Sequence, residues 1–390
     1  MKVLFDYQIF MDQQFGGISR YFSELMRALQ TRPEVQVQLS LHESDNVEVP
    51  RLKNVIGPMS VRSPSRIHFR GAGRLKSLYY SVFPDRHPEK IEQAYVMDLL
   101  RQGGCDIFHP TLYQDYYLGL PKKMPVVLTV HDMVFELFPQ QYAGRRAQEI
   151  TRKKKAVANR ADHIIAISHS TKRDLCRLYG IDPTRISVVP HGNSLTLNKE
   201  SMVGTVAGAL PERYILFVGI RDGYKNFLFF LSSMSDIFRR EQSLMILCTG
   251  PAFTKAENEH IKRLGLEGRV RWMKVVSDAV LATLYRHATA FVFPSLYEGF
   301  GLPLLEAMSC GCPVVASNTS SFPEVAGDAA VLFDPADKES ISTAVERVLG
   351  SSELRSEKRE KGIAQQRKFS WEKTAEETLK VYHSVISKMA

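Results

Sequence analysis

Short apolar runs rich in β-branched residues alternate with helix-period segments along almost the whole chain, and the series starts twice. The first begins at Val3-Leu4-Phe5 and continues at 35–41, 107–109, 126–130, 164–167 and 186–189. Amphipathic stretches at 88–101, 145–160 and 170–179 lie between these runs, and Ile18, Tyr21, Phe22, Leu25, Met26 and Leu29 share one helical face. The second series begins at 214–218 and continues at 244–247, 270–273, 290–293, 314–316 and 330–333. Continuous short runs predict strands buried on both faces, and their alternation with helices predicts parallel sheets. The expectation is an α/β chain of two doubly wound, Rossmann-like domains, residues 1–200 and 201–370, facing each other across a cleft. Residues 191–211 lack periodicity and read as a linker. Trp371, Ala375, Leu379, Tyr382 and Ile386 lie on one face of a final helix spanning 371–390. In open α/β sheets a ligand sits beyond the carboxyl ends of the strands.

The 390 residues suit two domains, and 44% hydrophobic with 24% charged residues excludes a disordered or fibrous chain. No apolar run approaches the roughly 18 residues that span a bilayer. The opening residues, with Asp6 so early, read as a buried strand and not as a signal peptide. Five scattered cysteines fit a reducing cytoplasm, and Cys310-Gly-Cys312 lacks the companion ligands of a zinc site. The net charge of +9 favours anionic partners without choosing among them. Two basic regions stand out. Residues 62–90 hold Arg62, Arg66, Arg70, Arg74, Lys76 and Arg86 among Phe69, Tyr79, Tyr80 and Phe83; residues 145–155 hold Arg145, Arg146, Arg152, Lys153, Lys154 and Lys155. Together they could attract an anionic membrane surface, while the second reads equally as a solvated helix face. No nucleic-acid-binding module accompanies the charge, so no nucleic-acid partner is expected.

The chemistry concentrates in Phe291-Val-Phe-Pro-Ser-Leu-Tyr-Glu-Gly-Phe-Gly-Leu-Pro-Leu-Leu-Glu306. A strand ends near Pro294, a loop with Gly299 and Gly301 follows, and Pro303 suits the first turn of a helix. Such a loop lets backbone approach a ligand, and the helix start offers free N–H groups to an anion. Glu298 and Glu306 bracket it and suit hydroxyls on either side of a diphosphate, since carboxylates repel the diphosphate itself. A plain strand–turn–helix, with Glu306 as a helix-start charge, is the alternative reading. Arg221 and Lys225 follow the strand at 214–218, where two cations can hold a diphosphate. Gly16-Gly17 opens the first helix as a second anion-friendly terminus, or as a tight turn without a ligand. His131-Asp132 ends the strand at 126–130, where an imidazole can meet a sugar hydroxyl or stay structural; His109 and His191 read as structural. No Gly-x-Gly-x-x-Gly follows the first strand, so this is not the dinucleotide fingerprint, and with neither His-Glu-x-x-His nor Asp-x-Asp present no metal site is expected.

Glu298-Gly-Phe-Gly-Leu-Pro-Leu-Leu-Glu306 resembles the two-glutamate signature of family four retaining glycosyltransferases, which have the GT-B fold. The resemblance extends to Gly16-Gly-Ile-Ser, His131-Asp132, Ala166-Ile-Ser-His-Ser, Val189-Pro-His-Gly192, Phe217-Val-Gly with Lys225-Asn226, and Phe369-Ser-Trp371. It implies that Glu298 contacts donor-sugar hydroxyls, that Glu306 holds the nucleotide ribose, and that backbone N–H groups from Phe300 through Leu302 to Leu304 touch sugar and phosphates. It further implies Lys225 on the diphosphate, Gly17 approaching from the opposite domain, His131 beside the sugar, and a final helix crossing back to the N-terminal domain. Base recognition is expected from the loops after 247, with Gly250, and after 273. Many members place an arginine where this chain has Ile220, one position before Arg221, and an Asn where it has His191.

The implied activity is metal-independent, retaining transfer of a hexose, mannose or a related deoxyhexose, with no cofactor beyond the nucleotide-sugar donor and GDP favoured over UDP. The acceptor would be a glycan, plausibly lipid-linked, in surface-polysaccharide or O-antigen synthesis. The enzyme would be cytoplasmic and peripheral at the inner membrane face. A nucleotide-sugar epimerase and a non-catalytic nucleotide-sugar-binding protein are the competing readings.

Overall fold

The computed structural model describes residues 1–55, 87–121, 123–195, 210–221, 223–275 and 277–389. The basic and aromatic residues singled out between 62 and 86, most of the linker and the boundary near residue 200 lie outside the described residues.

The first half forms β1 (Lys2–Phe5), β2 (Gln36–Leu39), β3 (Ile107–His109), β4 (Val127–Val130), β5 (His163–Ala166) and β6 (Ile186–Val188). All their pairings are parallel. The groups β2-β1-β3 and β4-β5-β6 meet at a bridge between Phe108 and Val126, which makes one sheet of order 2-1-3-4-5-6. The second half forms β7 (Tyr214–Phe217), β8 (Met245–Cys248), β9 (Val270–Trp272), β10 (Ala290–Phe293), β11 (Val314–Ser317) and β12 (Ala330–Phe333), a parallel sheet of order β12-β11-β10-β7-β8-β9. Each order reverses once, between β1 and β3 and between β7 and β10, and such a reversal opens a crevice at the carboxyl ends.

Every residue of β4, β5, β7, β10 and β11 is buried, because helices cover both faces. The Gly17–Gln30 helix buries Tyr21, Phe22, Leu25, Met26 and Leu29 against the first sheet. The stretch at 170–179 is a helix over His169–Asp174 that widens into a π turn, Leu175–Tyr179, stopped by left-handed Gly180. The Trp371–Met389 helix adds Trp371, Ala375, Leu379 and Tyr382 to the core of the first domain. Its Tyr382 Oη lies 2.6 Å from His109 Nδ1, and Trp371 Nε1 donates to Ser194 Oγ at 2.7 Å. A helix that follows the second domain and packs on the first ties the two halves together.

Candidate active site

The reversal between β7 and β10 places two loops side by side. After β7 the chain runs through Gly219 into a short turn, Gly223–Lys225. After β10 it runs from Pro294 to the Leu302–Ser309 helix, with Pro303 in its first turn as the sequence predicts. The Leu296 N–H donates to the Tyr224 carbonyl at 2.8 Å, which joins the loops. The glycine loop is braced from behind: the Glu298 N–H donates to Ser320 Oγ at 3.0 Å, and Ser321 Oγ bonds the carbonyls of Glu298 and Phe300. Lys225 Nζ stands 2.5 Å from Glu298 Oε1 and over the rings of Tyr224 and Phe293. Both side chains are mostly but not wholly buried, so cation and carboxylate neutralise each other at the mouth of the crevice.

The first domain closes directly onto this loop. A Cβ on Gly299 would stand 1.8 Å from the His131 carbonyl oxygen, so only glycine permits the approach. Thr171 Oγ1 donates to the Gly299 carbonyl at 3.3 Å, and a Cβ on Gly17 would lie 3.9 Å from Leu302. Glu324 accepts the His169 and Ser170 N–H groups, both at 2.9 Å, which caps a first-domain helix with a second-domain carboxylate. The predicted residues Gly17, His131, Lys225, Glu298, Gly299, Phe300, Gly301, Leu302 and Leu304 are thus brought to one junction. Gly250, with φ of 93°, packs its backbone against Gly219 at the neighbouring strand end.

His131 is buried and neither ring nitrogen has a hydrogen-bond partner among the described residues. Burial lowers its pKa to about 4, so the imidazole is neutral at physiological pH. His191 repeats this environment: it is buried, without a hydrogen-bond partner for either ring nitrogen among the described residues, and held well below the usual imidazole range by burial. Its ring stacks on Tyr21 at 4.6 Å and meets Phe300 of the glycine loop at 4.9 Å. The sequence reads His191 as structural, and it lies in the Val189-Pro-His-Gly192 motif; the structure places its ring against the glycine loop. Glu306 receives the Tyr285 hydroxyl at 3.1 Å, and burial raises its carboxyl against the attraction of Arg20.

Two expectations need correction. Arg221 does not face the crevice. Its Nε bonds Glu257 at 2.6 Å, its terminal nitrogens donate to the carbonyls of Thr249, Pro251 and Ala252, and its plane lies 4.8 Å from the Phe253 ring. A guanidinium so saturated braces the loop after β8 and is not free for a phosphate. Lys154 is not part of a solvated face: it is buried, bonded to Glu136 at 3.0 Å and to the Asp132 carbonyl at 3.1 Å. Arg145, Arg146, Arg152 and Lys155 on the same helix are exposed. Sequence reasoning also missed Arg20, which crosses from the first domain to bond Asp278 of the second at 2.9 and 3.2 Å.

Beside the junction, on the first domain, lies a cavity of about 650 Å³. Its lining includes carboxylates such as Asp12 and Asp132, amides such as Gln13 and Gln141, the cations Arg146, Lys153 and Lys154, and the rings of Tyr113, Phe135 and Tyr142. Convergent polar groups on an apolar wall are what a small ligand needs. Among the described residues no group of three or more His, Cys, Asp or Glu side chains is arranged to hold a metal ion.

Comparison with known proteins gives this arrangement its family. Residues 15–196 match the model for Glycosyltransferase Family 4, and residues 207–368 match that for Glycosyl transferases group 1. O-antigen chain mannosyltransferase B of Escherichia coli is 28% identical over 382 residues, 94% of this chain and 95% of that protein. The MMP alpha-(1->4)-mannosyltransferase of Mycolicibacterium hassiacum is 27% identical over 352 residues, 85% of this chain and 84% of that protein. Among solved structures, sucrose-phosphate synthase from Thermosynechococcus elongatus superposes with a TM-score of 0.74 at 19% identity, over 99% of both chains. Anabaena HepE, in complex with UDP and glucose, gives 0.72 at 18%, over 98% of this chain and 100% of that one. With both domains matched in order and the two-glutamate loop at their junction, the chain belongs to the family 4 glycosyltransferases and has the GT-B fold.

Proposed function

We propose that this glycosyltransferase moves mannose from a GDP-sugar onto a lipid-linked glycan, with retention of configuration and without a metal ion. The observation that carries the reading is the pairing of Lys225 with Glu298, whose loop is held against His131. Breaking the bond between sugar and diphosphate builds negative charge on the leaving phosphate and positive character on the ring. Lys225 exchanges Glu298 for the diphosphate and stabilises the first; backbone N–H groups at the Leu302–Ser309 helix start reinforce it. Glu298, released, accepts hydrogen bonds from sugar hydroxyls. His131 is neutral and serves as a hydrogen-bond partner of the sugar, not as an acid. The acceptor hydroxyl attacks from the face the phosphate leaves, and the departing phosphate oxygen takes its proton. The cavity lined by Asp12, Asp132 and Tyr113 receives the acceptor glycan, with carboxylates and amides for hydroxyls and rings for sugar faces.

Mannose rests on the mannosyltransferase relatives, and GDP on that choice of sugar. The relatives lend no support to an epimerase or a non-catalytic binder. No described helix is long and apolar enough to cross a membrane. Exposed Arg145, Arg146, Arg152 and Lys155 favour peripheral contact with an anionic cytoplasmic leaflet, where a lipid-linked acceptor would lie. The test is incubation with GDP-mannose or UDP-glucose, with EDTA, with and without an O-antigen-type mannosyl acceptor. Acceptor-dependent α-linked product from GDP-mannose is expected. A requirement for divalent metal, an inverted linkage, or donor conversion without acceptor would refute the reading.

A further inference from the structure

A nucleoside diphosphate leaves as a group with more than one negative charge, and one lysine is a thin supply of positive charge for it. In the loop after β7, among the described residues, Lys225 has no second cation to help it: Ile220 is apolar, and Arg221 is turned away and saturated. The first domain does offer one. Arg20 lies in the first turn of the Gly17–Gln30 helix, whose start packs against Leu302 of the donor loop. Its Nη2 reaches across the cleft to Asp278, the first residue of the Asp278–His287 helix, while its Nε stands 3.7 Å from Glu48. Nη1 makes no hydrogen bond among the described residues. Glu306, the carboxylate assigned to the ribose, is close enough to attract the guanidinium. Arg20 therefore stands between the two domains, next to the place where ribose gives way to phosphate.

The pairing repeats that of Lys225. Each cation at the cleft rests on a carboxylate: Lys225 on Glu298 and Arg20 on Asp278. The Asp278 side chain is partly exposed, at 44%, so water competes for that bond and a phosphate can replace it. A guanidinium also offers two N–H groups in a planar fork that matches phosphate oxygens. We infer that Arg20 is a substrate-contacting residue of the first domain, which passes from Asp278 to the donor diphosphate and supplies the second positive charge that Arg221 does not. This rests on the donor reading above. It makes diphosphate binding depend on how the two domains meet, because Arg20 reaches the second domain from the first.

The experiment measures binding of GDP, GMP, UDP and UMP by calorimetry to the full-length wild type, Arg20→Ala, Arg20→Lys, Asp278→Ala and the Arg20→Asp/Asp278→Arg swap. Arg20→Ala should weaken the better-bound diphosphate by about tenfold to a hundredfold, and its monophosphate much less. Asp278→Ala should leave diphosphate binding intact or tighten it, because it frees Arg20. The inference is overturned if Asp278→Ala weakens binding as much as Arg20→Ala and the swap restores it, since the pair is then only a closure latch. It is equally overturned if Arg20→Ala changes nothing. Should Arg20→Ala not fold, the direction of the Asp278→Ala effect decides. A wild type that binds neither diphosphate refutes the donor reading itself, before any variant is made.

Discussion

Gly299→Ala offers a sharp test of the closed junction. The new Cβ would stand 1.8 Å from the His131 carbonyl oxygen, against 3.4 Å for ordinary contact, so the surfaces must part by about 1.6 Å. The φ of Gly299 is not in the left-handed region, so the substitution adds a clash without backbone strain. Inside a single core such overpacking costs about 1–3 kcal/mol. Here the clash lies between domains, and slight opening relieves it while both sheets stay intact. The cost in stability should therefore sit at the low end, near 1 kcal/mol, a shift in Tm of about 2–4 °C. The catalytic cost should be larger. A displacement of about 1 Å separates His131 from the donor loop and breaks the Thr171 bond to the Gly299 carbonyl, which costs about a hundredfold in kcat/KM. Calorimetry and initial rates of glycosyl transfer measure the two separately. Full activity in Gly299→Ala would refute the argument that closure onto this glycine assembles the site. A collapse in Tm beyond about 10 °C would show that the contact belongs to a core and not to a hinged interface.

Glu298→Gln should retain partial activity and form no glycosyl-enzyme if, as proposed, the carboxylate only holds hydroxyls; intact-mass spectrometry finding a sugar on Glu298 in the wild type would contradict this. Arg221→Ala should destabilise by about 3–5 kcal/mol, because it strands Glu257 in a nearly buried site, yet change diphosphate affinity little; calorimetry reads both quantities, and a large loss of affinity at unchanged Tm would restore Arg221 to the phosphate. Burial depresses His109 to about 3 and His131 and His163 to about 4. Their unfolded forms titrate near 6.5, so the unfolded state binds more protons as pH falls through the interval from 6.5 to 4. Stability present above about pH 6.5 is therefore lost toward pH 4, and His131→Gln should flatten part of that slope. Urea midpoints across this range check it, and an unchanged slope in the variant would contradict the assignment.

Much of the architecture was legible because it is written in local periodicity. A run such as Tyr214–Phe217 can be read as a buried strand without knowing its neighbours, since helices on both faces demand apolar residues at every position. The donor loop was legible for a related reason: Gly299, Gly301, Pro303 and the two glutamates lie within nine residues, so spacing alone places them on one strand–loop–helix unit. What spacing could not convey is direction and company. Arg221 looked equivalent to Lys225 four positions away, yet Glu257 and three carbonyls from another loop claim it. Lys154 sat in a run of exposed cations until Glu136 and the Asp132 carbonyl drew it inside. Arg20 meets Asp278 across 258 positions of sequence. Such partners are chosen by tertiary packing, within a domain for Arg221 and Lys154 and between domains for Arg20, where a charge removed from water must find whichever opposite charge or carbonyl the fold brings within about 3 Å. Strands, helices and the glycine loop belong to the sequence alone; which cations are claimed by a carboxylate or a carbonyl was decided only by tertiary packing, because those partners lie far away along the chain.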